Sequence, residues 1–319
     1  MNSVTLGITY YNEKELLTQC LASLFECRSL PDEVLIYDDC SQYPAADYLV
    51  RHDRCHVRVI RGEQNIMLAA ARNAILYHGK CDYIHYQDAD DLFDPKVFSD
   101  LIDHTRQTSA DLVINDVRSV RFESGALISP SCIGLSAVGG DRRDLISHAI
   151  LGSFLAPTLT FRKALGLKLG GYDHQRLKQC EDYDFAVRML MTVEHYELFP
   201  AAAVVQRVRA GSMSSRKAEL YENAYLAING LAEQFPCFRE VLGVRALRIA
   251  QQCNDAGFRH LTNLGVRLAR SLSDEPYARE TRKFRMVARV FGIPAAVRVR
   301  SVIARLRRAI TDRKSESTS

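Results

Sequence analysis

The chain has 319 residues, 47% hydrophobic and 25% charged, with nine cysteines and a formal net charge of +4. That length suits one large domain or two modest ones, and that balance suits a soluble globular protein without a global nucleic-acid-binding field. The cysteines are scattered with no Cys-x-x-Cys pair, which argues for a reducing compartment and against a disulfide framework or structural zinc. The start, MNSVTLGITYYNE, has no basic opening and no long apolar run, so no secretion signal is expected. No window approaches ~18 uninterrupted apolar residues, so no spanning helix is expected either. The first hundred residues alternate. Strands are expected at 4–9, 33–38, 57–62 and 83–88, and helices at 13–26, 66–78 and 95–106. This rhythm implies an α/β fold, a mostly parallel sheet covered by helices, with ligands beyond the carboxyl ends of its strands. Asp38 and Asp39 close the second strand, and Asp88, Asp90 and Asp91 close the fourth.

From 107 the rhythm changes. A strand is expected at 110–116, a Gly- and Ser-containing polar loop region after it, and strands at 157–161 and 201–208. A helix is expected at 181–193, opening on its own acids as the helix dipole favours. The pattern from 216 onward is helical. The stretch from Arg279 to Lys314 is basic, opposed only by Glu280 and Asp312, with Gly292 and Pro294 expected to divide it into two helices. The closing DRKSESTS reads as disordered. The basic stretch admits a solvated helical face, a membrane-surface helix or a nucleic-acid contact. No nucleic-acid fold precedes it, so nucleic acid is not an expected partner.

An acidic cluster at a strand end admits three readings: a solvated turn, a metal site, or the catalytic pair of a hydrolase. Asp-x-Asp at the end of an apolar strand offers hard oxygen ligands suited to Mg²⁺ or Mn²⁺. Neither Gly-x-Gly-x-x-Gly nor Gly-x-x-x-x-Gly-Lys-Ser/Thr is present, which disfavours a dinucleotide oxidoreductase and a P-loop enzyme. A phosphohydrolase would need a nucleophilic aspartate at the first strand, and TLGITYY has none.

The segments ITYYNE (8–13), YDDCS (37–41), NIMLAAARN (65–73), DADD (88–91) and CEDYDFAVRM (180–189) occur in the order and spacing of family 2 glycosyltransferases, which this chain resembles over residues 3 to 215. The resemblance implies a GT-A fold and inverting transfer of a sugar from a nucleotide-diphosphate sugar, assisted by a divalent metal, Mg²⁺ or Mn²⁺. It implies a glycosyltransferase domain at 1–215, with a nucleotide-binding half at about 1–106 and an acceptor-binding half at about 107–215. A helical extension with the basic tail follows at 216–319. Thr9 and Tyr11 resemble positions flanking the nucleotide base, and Asp39, with Asp38 beside it, resembles the acid that hydrogen-bonds the base, usually uracil. Asn65 and Arg72 resemble a segment approaching the base or diphosphate. Asp90 resembles the direct metal ligand, and Asp88 a residue holding the ribose and the metal's water shell, with Asp91 capping the following turn. Asp182 resembles the general base, Glu181 a residue orienting it or the acceptor, and Gly170, Gly171 and Tyr172 the loop lining the donor sugar.

One departure stands out. Where many relatives carry Arg-x-His-x-x-Ser, this chain has QRVRAGSMS, with Arg209 at the His position and Ser212 and Ser214 keeping the polar pattern. Arginine stays protonated and does not ligate a metal. With Arg207 it is expected to grip the diphosphate, weakening the metal requirement. The resemblance implies a hexosyl- or N-acetylhexosaminyl-type transferase building surface polysaccharide. Its donor would be a nucleotide-sugar, with UDP as the expected nucleotide, and its acceptor a glycan or lipid-linked glycan. Its place would be cytoplasmic, or peripheral on the inner face of the membrane through the basic tail. The alternative is a catalytically silent nucleotide-sugar-binding or scaffold protein of the same fold.

Overall fold

The computed structural model describes residues 1–49, 53–138, 141–152, 154–209, 216–277 and 280–300. Ser212 and Ser214, the closing DRKSESTS and the end of the basic tail lie outside these residues. The chain divides into two compact units, Met1–Ser215 and Arg216–Ser319.

The first unit is built on one nine-stranded sheet. Strands β1 (Val4–Tyr10), β2 (Glu33–Asp38), β3 (His56–Arg61) and β4 (Tyr83–Asp88) run parallel in the order β3-β2-β1-β4. Their connections are α1 (Lys14–Phe25), a loop, and α2 (Met67–His78). β1, β2 and β4 are buried along almost their whole length, as expected of central parallel strands covered on both faces. Gly7 lets α2 lie directly on β1, since a Cβ there would come within 2.4 Å of Ile75. A short β5 (Leu92–Phe93) leads into α3 (Pro95–Gln107). Asp94 caps that helix by accepting from Val97 N, and Pro95 opens it.

The sheet continues through β6 (Leu112–Arg121), with β7 (Leu127–Ser129) pairing onto it. Next come α4 (Arg142–Leu151), β8 (Leu159–Arg162), α5 (Lys163–Lys168), α6 (Glu181–Thr192) and β9 (Tyr196–Val208). The full order is β3-β2-β1-β4-β8-β6-β9-β5. β8 is antiparallel to both neighbours, while β6 and β9 are parallel to each other. The sheet is therefore mostly parallel, with β8 inverted between its two parallel sets and the short β5 and β7 antiparallel to β9 and β6. β9 is longer than the expected 201–208. It begins at Tyr196, and its register against β6 slips at Asn115 and Asp116. Such an irregularity re-aims a strand, and the far end of β9 reaches the turn after β4, where Arg207 N donates to Asp91 Oδ1 at 2.8 Å.

The second unit is helical: α7 (Lys217–Gln234), α8 (Arg239–Asp255), α9 (Arg259–Leu272) and α10 (Arg282–Phe291). α10 ends at Gly292, whose φ of +81° breaks it, and residues 293–300 form a further helix. This is the division expected at Gly292 and Pro294. Among the described residues the nine cysteines form no disulfide, and no helix is long and apolar enough to cross a membrane.

Candidate active site

The carboxyl ends of β1, β2 and β4 lie side by side. In the sheet register Thr9 stands between Tyr37 and Asp88, and Tyr10 opposite Asp38. The acidic turns that follow β2 and β4 thus flank the end of β1, where Tyr11 is half-exposed.

The β2 turn is organised by backbone amides. Asp38 is wholly buried. One of its oxygens accepts from Ser41 N at 2.8 Å, and the other from Ala45 N at 2.9 Å and Arg61 Nη1 at 3.3 Å. Its carboxylate builds the loop. Asp39 accepts from Ile66 N at 2.7 Å and Met67 N at 3.0 Å, one to each oxygen, and so ties this turn to the start of α2. Burial pushes the Asp39 carboxyl up, and those two amides oppose it. A carboxylate has about four acceptor positions, so Asp39 retains capacity for a ligand donor. Asn65 is exposed beside it and accepts from Met67 N at 3.2 Å.

The β4 turn is organised by side-chain cations from other elements, Arg72 on α2 and Arg209 just after β9. Asp88 Oδ1 accepts from Arg72 Nη2 at 2.8 Å. Asp90 Oδ2 accepts from Arg209 Nη2 at 3.1 Å, and the same Nη2 pairs with Glu13. Asp91 is buried, its carboxyl raised well above the ordinary range by burial and then by Asp90 and Asp88. Its bond from Arg207 N fastens β9 to the turn. Asp90 is pushed up to about 6, by burial first and then by Asp88 and Glu13, against Arg209.

Arg207 is engaged by the protein itself. Its Nε donates to Asp90 O, its Nη1 pairs with Gln19, and its guanidinium lies 5.3 Å from the Phe122 ring centre. Arg207 and Arg209, expected on a diphosphate, here hold the acidic turn.

Arg72 joins this turn to α6. It is buried to 2% exposure, with Nη2 on Asp88 and Nη1 on Glu181 Oε1, each at 2.8 Å. Burial works against its charge, but Asp88, Tyr172 and Glu181 outweigh it and raise its pKa. Tyr86 Oη donates to Arg72 O, and Tyr172 lies against the guanidinium at 5.5 Å. Arg72, expected to approach the base or diphosphate, makes this two-sided ion pair in the structure.

α6 opens after Cys180, whose φ is +63°, and carries Glu181, Asp182 and Asp184 in its first turn. Asp184 pairs with Arg188 at 2.7 Å, and Arg188 donates onward to Leu169 O and Gly171 O. Asp182 is half-buried and accepts from Tyr183 N at 2.7 Å. Burial raises the carboxyls of both Glu181 and Asp182, and Arg72 opposes it in both.

The loop before α6 is fixed by Asn73, which donates from Nδ2 to Tyr172 O at 2.8 Å and accepts at Oδ1 from Tyr172 N at 2.7 Å. Gly171 has φ of +70°, and a Cβ there would lie 2.3 Å from Asn73 Oδ1, so only glycine lets the loop close on Asn73. Asn73 lies within the NIMLAAARN segment, where the sequence alone gives it no role. Asp116 carried no sequence signal. Its carboxylate gathers the 131–135 loop, accepting from Ser131 Oγ and from the amides of Cys132, Ile133, Gly134 and Leu135.

The donor set available to a metal is sparse. Among the described residues no group of three or more His, Cys, Asp or Glu side chains is gathered to hold an ion. Asp88 and Asp90 supply hard carboxylate oxygens, each sharing one oxygen with an arginine. That set fits Mg²⁺ or Mn²⁺, which keep several water or substrate oxygens and take only one or two carboxylates.

Comparison with solved structures gives the fold. A crystal structure of residues 1–349 of Staphylococcus aureus TarS superposes with a TM-score of 0.68 at 17% identity, covering 92% of this chain and 89% of that one. The mannosyltransferase PcManGT from Pyrobaculum calidifontis, in complex with GDP-Man and Mn²⁺, superposes with a TM-score of 0.58 at 16% identity, covering 96% of this chain and 87% of that one. The fold is GT-A. Residues 5–161 match the family described as Glycosyl transferase family 2, and the chain belongs to that family.

Among curated proteins, an uncharacterized glycosyltransferase of Haemophilus influenzae is 28% identical over 188 residues, 59% of this chain and 62% of the relative. A teichoic acid poly(glycerol phosphate) polymerase of Staphylococcus epidermidis is 32% identical over 94 residues, 28% of this chain and 13% of the relative. The matched segment thus spans less than two thirds of either relative.

Proposed function

We propose that this family 2 glycosyltransferase moves a sugar, with inversion, from a nucleotide-diphosphate sugar to a hydroxyl of a glycan or lipid-linked glycan. UDP is the expected donor nucleotide. The observation that carries the reading is the Arg72 bridge. It ties the acidic end of β4 to the first turn of α6, and so puts a donor-side carboxylate, Asp88, and Glu181, the neighbour of the candidate base Asp182, on one buried cation.

In this reading Asp39 and Asn65 meet the nucleotide base beside Thr9 and Tyr11. Asp88 and Asp90 face the ribose and diphosphate. Asp182 takes the proton of the acceptor hydroxyl as that oxygen attacks the sugar from the side opposite the leaving diphosphate. Glu181, held by Arg72, fixes the first turn of α6 and thereby the direction of Asp182. Asn73, Gly171 and Arg188 shape the loop that lines the sugar. A divalent ion held by Asp90 and Asp88 would neutralise charge on the departing diphosphate.

The acceptor assignment and surface-polysaccharide role belong to the same proposal. So does peripheral membrane contact through α10, where Arg282, Lys283, Arg285 and Met286 are exposed. The test is a screen of UDP-sugars with Mn²⁺, reading nucleotide release and product with wild type and Asp182→Asn. Release of UDP that depends on Asp182, with nucleotide affinity retained in the variant, is the expected outcome. Binding without turnover on any donor would support a nucleotide-binding scaffold instead. Partition wholly away from anionic liposomes at low salt would remove the membrane contact.

A further inference from the structure

The cation beside Asp90 is the chain's own. Arg209 leaves the end of β9, and its Nη2 donates to Asp90 Oδ2 at 3.1 Å and to Glu13. This site differs in kind from the one at Arg72. The Arg72 side chain is 3% exposed and clamped between two carboxylates. The Arg209 side chain is 30% exposed, with Glu13 at 30% and Asp90 at 25%. A partly exposed pair exchanges partners far more readily than a buried one, because water compensates each charge during the exchange.

Two donors here are also unspent. Among the described residues Arg209 Nε and Arg207 Nη2 are buried without a hydrogen-bond partner. Neighbouring guanidinium groups with unspent N–H donors suit an anion with several oxygens, as a diphosphate has.

A guanidinium on Asp90 Oδ2 and a divalent ion on the same carboxylate repel one another and compete for the same oxygen. We propose that Arg209 is a built-in counter-cation. It holds Asp90 in the donor-free chain, weakens divalent-ion binding there, and releases the carboxylate when an arriving diphosphate offers the guanidinium a new anionic partner. Metal binding is then conditional on the nucleotide, so an ion does not occupy the turn ahead of the donor. This inference rests on the proposed reading of the β4 turn as the diphosphate site.

The experiment is Mn²⁺ titration of the full chain, followed by electron paramagnetic resonance of unbound Mn²⁺, with and without UDP. Wild type is compared with Arg209→Gln, Arg209→Met and Arg209→Lys. Without UDP, the two uncharged variants are expected to bind Mn²⁺ about tenfold more tightly than wild type, the scale of one charge-assisted pair. Arg209→Lys keeps the charge and is expected to stay near wild type. UDP is expected to tighten Mn²⁺ binding more in wild type than in the uncharged variants. Two uncharged variants guard against one failing to fold. Equal Mn²⁺ affinity in wild type and a folded uncharged variant without UDP overturns the counter-cation. If UDP binds but no protein takes up Mn²⁺ with or without it, the metal reading of the turn falls as well.

Discussion

Two acidic turns close neighbouring regions of the same parallel sheet, and they are held in different ways. At the end of β2, Asp38 and Asp39 are satisfied mainly by amides of Ser41, Ala45, Ile66 and Met67. At the end of β4, Asp88 and Asp90 are satisfied by the guanidinium groups of Arg72 and Arg209. Backbone amides are fixed parts of the segments they belong to, so an acid bound by them is tied into the fold, whether the amide is 3 residues away, as for Ser41, or 28, as for Met67. Side-chain cations delivered from elsewhere are separable from the turn. The same residue type at equivalent strand ends therefore builds a loop in one place and, in the proposed function, offers a charge site in the other. Asp39 stands between the two, bound by amides yet beside the exposed Asn65.

The comparison extends to α6, because Arg72 links the β4 turn to it, and the largest expected effect lies there. Asp182→Asn should lower kcat by about 10³-fold, within the usual range for loss of a general base, while leaving donor affinity near wild type. A kcat within a few-fold of wild type would remove Asp182 from that role.

Next comes the bridge. Arg72→Met leaves Glu181 buried without its cation and should destabilise the chain by about 3–5 kcal/mol in urea denaturation, the scale for breaking a buried ion pair. Asp88→Asn should be milder, since Arg72 keeps Glu181. Equal losses in the two variants would mean that the bridge is not organised around the arginine.

The two β2 acids should separate cleanly. Asp38→Ala removes the acceptor for two buried amides and should lower stability by about 1–3 kcal/mol, with UDP affinity in the folded fraction little changed. Asp39→Asn should mainly weaken UDP binding. The reverse pattern would exchange their roles.

The smallest effect is a displacement in pH. A base acts unprotonated, and burial raises the Asp182 carboxyl. The acid limb of kcat/KM should therefore lie above the ordinary aspartate value of about 3.9, with activity rising as pH rises through it. A limb at or below that value would place the base in a less buried group.

Much of this frame was legible in the sequence because burial on both faces leaves a plain mark. β1, β2 and β4 are short runs rich in Val, Leu, Ile and Tyr, and each ends within a residue of its expected bound. α4 falls where no element was expected. It is short, and arginines, a histidine and a buried Ser147 interrupt its apolar face. β5 and β7 are two- and three-residue strands, too short to show a period. The early start of β9 is set by pairing with β6 rather than by local pattern.

At the site, residue types at strand ends were readable but their partners were not. Arg72 meets Glu181 across 109 positions, and Arg209 meets Asp90 across 119. No local spacing encodes either pair, so Arg72, Arg207 and Arg209 were expected on the ligand although each binds the protein here. The two hydrogen bonds between Asn73 and Tyr172, 99 positions apart, are hidden for the same reason.

The most direct measurement of the central claim is calorimetric titration of UDP into wild type and Asp90→Asn, with and without Mn²⁺. UDP binding that strengthens with Mn²⁺ in wild type, and loses that dependence in Asp90→Asn, is the expected result. UDP binding that is equally tight with and without Mn²⁺, and unchanged in Asp90→Asn, would contradict the assignment of the β4 turn as the donor's charge site.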